Sequence, residues 1–212
     1  MYACAQCTVH ACSREGGKNP SPHCPMNQTE VLEQAGELYK KTEFREFYIR
    51  ASEMEALGYG VWTRVKETVT LCHAMGYKRV GLAFCRGLRR EAKILDDILR
   101  RNGLEVVSVI CKVGGVPKES VGIDPSRKVH PEAFEPMCNP AAQALLCNQQ
   151  KTQFNIVLGL CVGHDSMFYK HAEALTTTIA VKDRVLAHNP LGALYCAEGY
   201  FAGKLDAAEM PE

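Results

Sequence analysis

The chain has 212 residues, with 25 Lys and Arg against 24 Asp and Glu, for a formal net charge of +1. That balance excludes the clustered basic excess that a nucleic-acid binder needs, and a hydrophobic share of 46% with a single Trp62 is ordinary for a globular protein. The 11 cysteines are not ordinary: a chain this long builds a core without disulfides, and an odd number cannot all pair.

The opening Met-Tyr-Ala-Cys-Ala-Gln-Cys has no basic region followed by an apolar one, so no signal peptide is expected. The longest apolar run, around Ile156 to Val162, is too short to cross a bilayer. The expectation is a cytoplasmic protein with reduced thiols, bound to neither membrane nor nucleic acid. In that compartment surplus cysteines serve metal ligation or catalysis.

Residues 1–26 hold four cysteines, Gly16-Gly17 and few large apolar side chains, so this piece cannot order itself by hydrophobic burial. A helical lead-in follows over 27–76. Asn27 with Glu30 resembles a capping box, and Val31, Leu32, Ala35, Leu38 and Tyr39 share one helical face. A second helix carries Phe44 to Leu57, and a third runs from Val61 to Met75, stopped by Gly76. The pattern then changes to strands alternating with helices over 77–212. Strands are expected at Arg79–Cys85, Leu104–Cys111, Phe154–Cys161 and Thr176–Lys182. Helices are expected at Leu88–Arg101, from Asn139-Pro140, at His164–Leu175 and at Pro190–Gly203, with Asn139 as N-cap and Pro140 in the first turn. Residues 112–137 have no period and four prolines, and a loop of that length is usually functional or mobile. Together these elements predict an α/β fold: a small Rossmann-like parallel sheet of about four strands flanked by helices, preceded by a helical segment and a Cys-rich metal-binding knuckle. The expected domains are the knuckle, 1–26, and the α/β domain, 27–212.

Two cysteine groups carry chemistry. The first is Cys4-x2-Cys7-x4-Cys12-x11-Cys24-Pro25. A Cys-x2-Cys pair gives two thiolates to one tetrahedral ion, Cys12 and Cys24 complete the set, and Zn²⁺ is the expected metal, with an iron–sulfur cluster second. The ion would supply the folding free energy that the segment lacks. His10 and His23 are alternative ligands, and Arg14 and Lys18 would balance the thiolate charge.

The second group is set by grammar rather than spacing. Cys85, Cys111 and Cys161 each end a predicted strand, and the C-termini of parallel strands lie on one edge, where ligands bind at the point of strand-order reversal. With order 2-1-3-4 that crevice lies between the strands ending in Cys85 and Cys161. Cys138 precedes a helix whose start should face away, unless the 112–137 loop folds it back. Four thiols could then hold a [4Fe–4S] cluster or a second metal. Alternatively Cys161, beside His164 and Asp165 at a helix start, is a catalytic thiolate with an acid–base pair, in a redox or electron-transfer enzyme. Arg86, Lys112, Lys182, Asp183, Arg184 and His188 fall at the same edge and suit a small anionic ligand. A non-catalytic metal-sensing or ligand-binding module with a structural zinc is the competing expectation. Packing alone is the bland alternative for each of these cysteines, and Cys72, Cys147 and Cys196 are expected to be core or surface thiols. No Gly-x-Gly-x-x-Gly follows the first strand, so nothing favours a nucleotide.

The segments Cys4-Ala-Gln-Cys7, Phe-Cys85-x-Gly-Leu, Cys111-Lys-Val-Gly-Gly, Met-Cys138-Asn-Pro, Gly-Leu-Cys161-Val-Gly-His-Asp and Val-Lys-Asp-Arg-x-x-x-His-Asn-Pro resemble an uncharacterised prokaryotic metal-binding family, domain of unknown function 1847. The resemblance implies zinc binding by four N-terminal cysteines, here Cys4, Cys7, Cys12 and Cys24. It implies no activity or substrate.

Overall fold

Four parallel strands form one sheet in the order β2-β1-β3-β4: β1 Arg79–Phe84, β2 Glu105–Ile110, β3 Phe154–Leu158 and β4 Thr176–Ala180. The computed structural model describes residues 1–208. Every residue of β3 is buried, and β1 is buried at all but its two ends. Both are central strands, and their near-continuous apolar sequences match a sheet covered on both faces. The edge strand β4 is half-buried throughout, which suits its run of three threonines.

The covering helices present stripes spaced three and four residues apart. Helix α4 (Arg89–Arg101) buries Ala92, Leu95 and Leu99, α5 (Pro140–Gln149) buries Gln143, Ala144 and Cys147, and α6 (His164–His171) buries Phe168. Ahead of β1, α3 (Arg64–Ala74) buries Thr68, Val69 and Cys72 and is capped by Thr63, whose hydroxyl accepts from the Lys66 amide. At the sheet centre Gly81 pairs with Asn155. A Cβ at Gly81 would stand 2.2 Å from Asn155 Oδ1 and 2.9 Å from Cys147 Sγ, so only glycine admits this buried amide, whose Oδ1 accepts from Thr152 Oγ1 at 2.8 Å.

The chain divides into two compact units, Met1–Val61 and Trp62–Glu212. The first groups the Cys-rich segment with α1 (Thr29–Lys40) and α2 (Thr42–Gly58), whereas the sequence reading placed the boundary at 26/27. Its interior is slight. Ala11 is the one buried residue among 1–27, no residue of α1 is buried, and α2 buries Met54 and Gly58. The expected capping box does not form. Helix α1 starts at Thr29 without a side-chain cap, and the Asn27 amide donates backward to the Ser21 and Pro22 carbonyls at 3.0 and 3.2 Å, folding the cysteine segment on itself.

The last two helices are shorter than their periodicity suggested: α6 stops at His171 and α7 covers Leu191–Tyr195, after which the described chain continues in turns. Among the described residues no helix is long and apolar enough to cross a membrane.

Candidate functional site

Strand order reverses at β1: the chain leaves it toward β2 on one side, while β3, on its other side, leads to β4. The carboxyl ends of β1 and β3 therefore flank the crevice where open α/β sheets take ligands. Cys85 and Cys111 sit there on backbone that extends the ladder. The Cys85 amide donates to Leu158 O at 3.1 Å and the Cys111 amide to Phe84 O at 2.8 Å. Both are buried, at 8% and 2% exposure.

Cys138 arrives by a different route. The segment after Cys111 leaves the sheet and returns through a narrow neck. Pro117 bridges Pro136 antiparallel, Lys118 N donates to Glu135 O, and Met137 N donates to Val116 O. The Asn139 amide then donates to Cys111 O at 2.7 Å, and Lys112 Nζ donates to Pro136 O at 2.5 Å. Cys138 is thus folded back beside Cys111, while Asn139 Oδ1 caps α5 by accepting from the Ala142 amide at 3.1 Å. The sequence offered this fold-back as the exception to the expected orientation, and the neck is its physical cause.

Cys85 and Cys111 share one buried cluster, with Cys138 packed against it, and the Cys111 sulfur accepts from the Arg86 amide at 3.3 Å. The trio titrates as a unit. Cys111 is pushed up by these two neighbours and by burial, and so retains its proton. Cys85 is drawn down to about 5, first by the Cys111 thiol, then by the Gly87 amide and Lys182, against burial. Cys138 is likewise drawn down to about 5, by Cys111, then by the charges of Lys112 and His164. Ordinary buried thiols behave in the opposite way. Cys72 is pushed up to about 12 and Cys147 to about 11 by burial alone, and both are core thiols, as expected. Cys196 is exposed.

Cys161 is close to this trio without joining it. Its sulfur accepts from an Arg184 guanidinium N–H at 3.5 Å, and that same guanidinium feels the charges of Cys85 and Cys138. Arg184 is carried on a self-closed loop. Lys182 N donates to Leu160 O, Asp183 Oδ1 accepts from the Val185 and Leu186 amides, and His188 Nδ1 accepts from the Asp183 amide.

Cys161, His164 and Asp165, the expected catalytic group, share the turn into α6. The His164 amide donates to Cys161 O, but the imidazole acts electrostatically on Cys138, and Asp165 Oδ1 accepts from the Ser166 amide. One contributor went unrecognised. Gln143, fully buried on α5, donates through Nε2 to Val109 O at 2.7 Å and Phe84 O at 3.3 Å, tying the strand ends that precede Cys111 and Cys85. A lone amide inside Ala141-Ala142-Gln143-Ala144-Leu145 was the available signal.

In the N-terminal segment Cys4, Cys7, His23 and Cys24 line one cleft of about 290 Å³, which Cys12 does not line. Cys7 Sγ accepts from the His10 amide at 3.4 Å, and the backbone N–H groups of His10 and Val9 lower its pKa. Amides aimed at a sulfur stabilise a thiolate. All eleven cysteines are free. Among the described residues no three Cys, His, Asp or Glu side chains close into a ready metal-holding group.

The fold is a parallel α/β domain with thiols grouped at the carboxyl edge of its sheet and Lys112, Lys182 and Arg184 near them. The chain belongs to the family described as protein of unknown function (DUF1847), whose model matches residues 24–179. That span contains Cys24, Cys85, Cys111, Cys138 and Cys161, and lies beyond Cys4, Cys7 and Cys12. An uncharacterised protein of Methanocaldococcus jannaschii is 41% identical over 203 residues, which cover 95% of this chain and 97% of that protein. No solved structure matches.

Proposed function

We propose that the protein is a two-centre metal protein: Zn²⁺ bound by Cys4, Cys7, Cys12 and Cys24, and a sulfur-ligated centre, a [4Fe–4S] cluster, held at the sheet edge by Cys85, Cys111, Cys138 and Cys161, in a redox or electron-transfer role. The observation that carries this reading is the packing of Cys85, Cys111 and Cys138, from three separate chain segments, into one cluster at the carboxyl end of the sheet. Thiolate sets of this kind select zinc or iron–sulfur clusters over hard cations. Four sulfurs from separate elements, one of them offset behind Arg184, suit a centre larger than a single ion. Lys112, Lys182 and Arg184 supply positive charge against the thiolates. A cluster bound there would contribute one-electron chemistry, while the chain's part is to ligate it, bury it and set the charge around it. Reduced thiols of this number fit a cytoplasmic location.

The cation ring also favours a second reading, in which the crevice binds a small anion without turnover and zinc is purely structural.

The test is anaerobic purification with iron, sulfide and zinc counted per chain, alongside visible absorption. The first reading expects zinc together with iron and acid-labile sulfide. Separate Ser replacements of Cys85, Cys111 and Cys138 should each empty the second centre and leave zinc in place. Zinc alone, with no visible chromophore in an anaerobically reconstituted sample, overturns the cluster and leaves the anion module.

A further inference from the structure

The first compact unit, Met1–Val61, buries Ala11, Met54 and Gly58 and nothing else, which is too little to hold two helices by their own interior. Helix α1 nevertheless carries an apolar stripe. Val31, Leu32, Leu38 and Tyr39 are each between 51% and 59% exposed, around a half-buried Ala35. At 3.6 residues per turn these five positions span about 120° of the helix surface. Glu30, Glu33 and Glu37 fall on the opposite face, where Glu37 pairs with Lys40. Helix α2 packs against α1, with the Tyr39 and Tyr48 rings 4.9 Å apart. A stripe that its hairpin mate leaves half-covered along its length is what one half of a four-helix bundle presents.

We propose that this face is a dimerisation surface whose occupant is the α1–α2 hairpin of a second copy, the two hairpins closing a four-helix bundle about a two-fold axis at Ala35. The stripe is self-complementary. Val31, Leu32, Ala35, Leu38 and Tyr39 follow one another at steps of one, three, three and one, the same in either direction from Ala35. An antiparallel second copy centred on Ala35 therefore sets Val31 of one chain against Leu38 of the other, and Leu32 against Tyr39, each contact occurring twice, as an isologous interface requires. Ala35, the smallest side chain of the stripe, stands where the helix axes come closest. The stripe carries no charge, so the acidic face of α1 stays clear of the seam. With the exposed Tyr48 at the hairpin seam, the exposed side-chain surface is on the order of 500 Å² per copy, so pairing covers about 1,000 Å² in all, the lower bound of a specific interface. A membrane surface fits less well, because interfacial helices carry Lys and Arg on their polar face, and this one carries Glu30, Glu33 and Glu37. Pairing supplies the first unit with the apolar interior that its own chain lacks.

The test is sedimentation equilibrium of the full chain, purified with zinc present, over roughly 1–100 μM. The wild type should pass from monomer to dimer over that range, and the hydrogen-exchange protection of the α1 amides should rise with it. L32E/L38E should raise the dissociation constant about a hundredfold, whereas I94E, at an exposed position of α4, should leave it unchanged. Leu32 and Leu38 are more than half exposed, so the double variant should keep its helices, which circular dichroism checks. A35W, which puts bulk at the crossing point without adding charge, should weaken the dimer as well. A wild type that stays monomeric throughout overturns the dimer. In that case protection of α1 that is independent of concentration assigns the stripe to the rest of the same chain, and co-sedimentation with phosphatidylglycerol vesicles assigns it to a membrane. A wild-type dimer that both L32E/L38E and A35W leave intact overturns the surface.

Discussion

The protein carries two groups of four cysteines, and they are ordered by different means. The N-terminal four lie within 21 residues of one another on a segment where only Ala11 is buried. Local turns, the amide contacts of Cys7 and the backward hydrogen bonds of Asn27 are all that the chain itself provides. The sheet-edge four are spread from residue 85 to residue 161, yet three of them pack into one cluster because a buried parallel sheet and a looped neck bring them there. On the zinc reading proposed above, the short spacing relies on an ion to finish the structure, whereas the long spacing relies on a fold that is already finished.

The largest effect that separates the two regions is metal removal. Structural zinc contributes on the order of 10 kcal/mol to small domains that lack a core. A zinc chelator should abolish hydrogen-exchange protection across residues 1–27 while the amides of β1 and β3 stay protected. Equal loss in both regions would mean that the sheet also depends on the ion. Next comes Gly81→Ala, aimed at the rigidity of the sheet. Its Cβ would collide with Asn155 Oδ1 and Cys147 Sγ, and overpacking of this kind costs about 3 kcal/mol. Tm should fall by about 6–12 °C. An unchanged Tm would show that the centre of the sheet is softer than its packing indicates.

Asn139→Ala tests the neck from the helix side. Loss of the bond from the Ala142 amide should cost about 1 kcal/mol, read as a Tm shift of about 2–4 °C. The Asn139 amide bond to Cys111 O remains, so Cys138 should keep its place. The smallest effect concerns pH. Glu135 is held down at about 2, first by Lys118 and then by the His130 and Val129 amides, against burial. A carboxyl with a lowered folded pKa stabilises above its ordinary value near 4.5, and that stabilisation is lost as pH falls toward 2. Hydrogen exchange at Val129 and His130, corrected for its intrinsic pH dependence, should accelerate over that window and nowhere above it.

The sheet was legible because its signals are local. Strands rich in Val, Ile and Leu, the Asn139-Pro140 helix start and the cysteines at three strand ends all follow from nearest-neighbour chemistry. The convergence of Cys85 and Cys111 followed from parallel geometry. What sequence could not supply was pairing at a distance. The Pro117–Pro136 bridge decides where Cys138 points, and neither proline announces the other. Asn27 had two possible partners, a helix amide ahead and carbonyls behind, and the local pattern cannot rank them. Side-chain direction is equally hidden from sequence: Asp165 Oδ1 accepts from the neighbouring Ser166 amide of its own helix.

The excursion after Cys111 has a further consequence. Because the chain leaves and re-enters through one bridged neck, residues 119–134 form a closed detour whose ends are already joined. Its inner content is held by its own contacts, Lys118 to Glu135 and Lys128 to Glu119. Such a detour can lengthen, shorten or accept a grafted peptide without displacing the thiols at its base, which makes it the natural place for relatives to differ and for a reporter to be inserted.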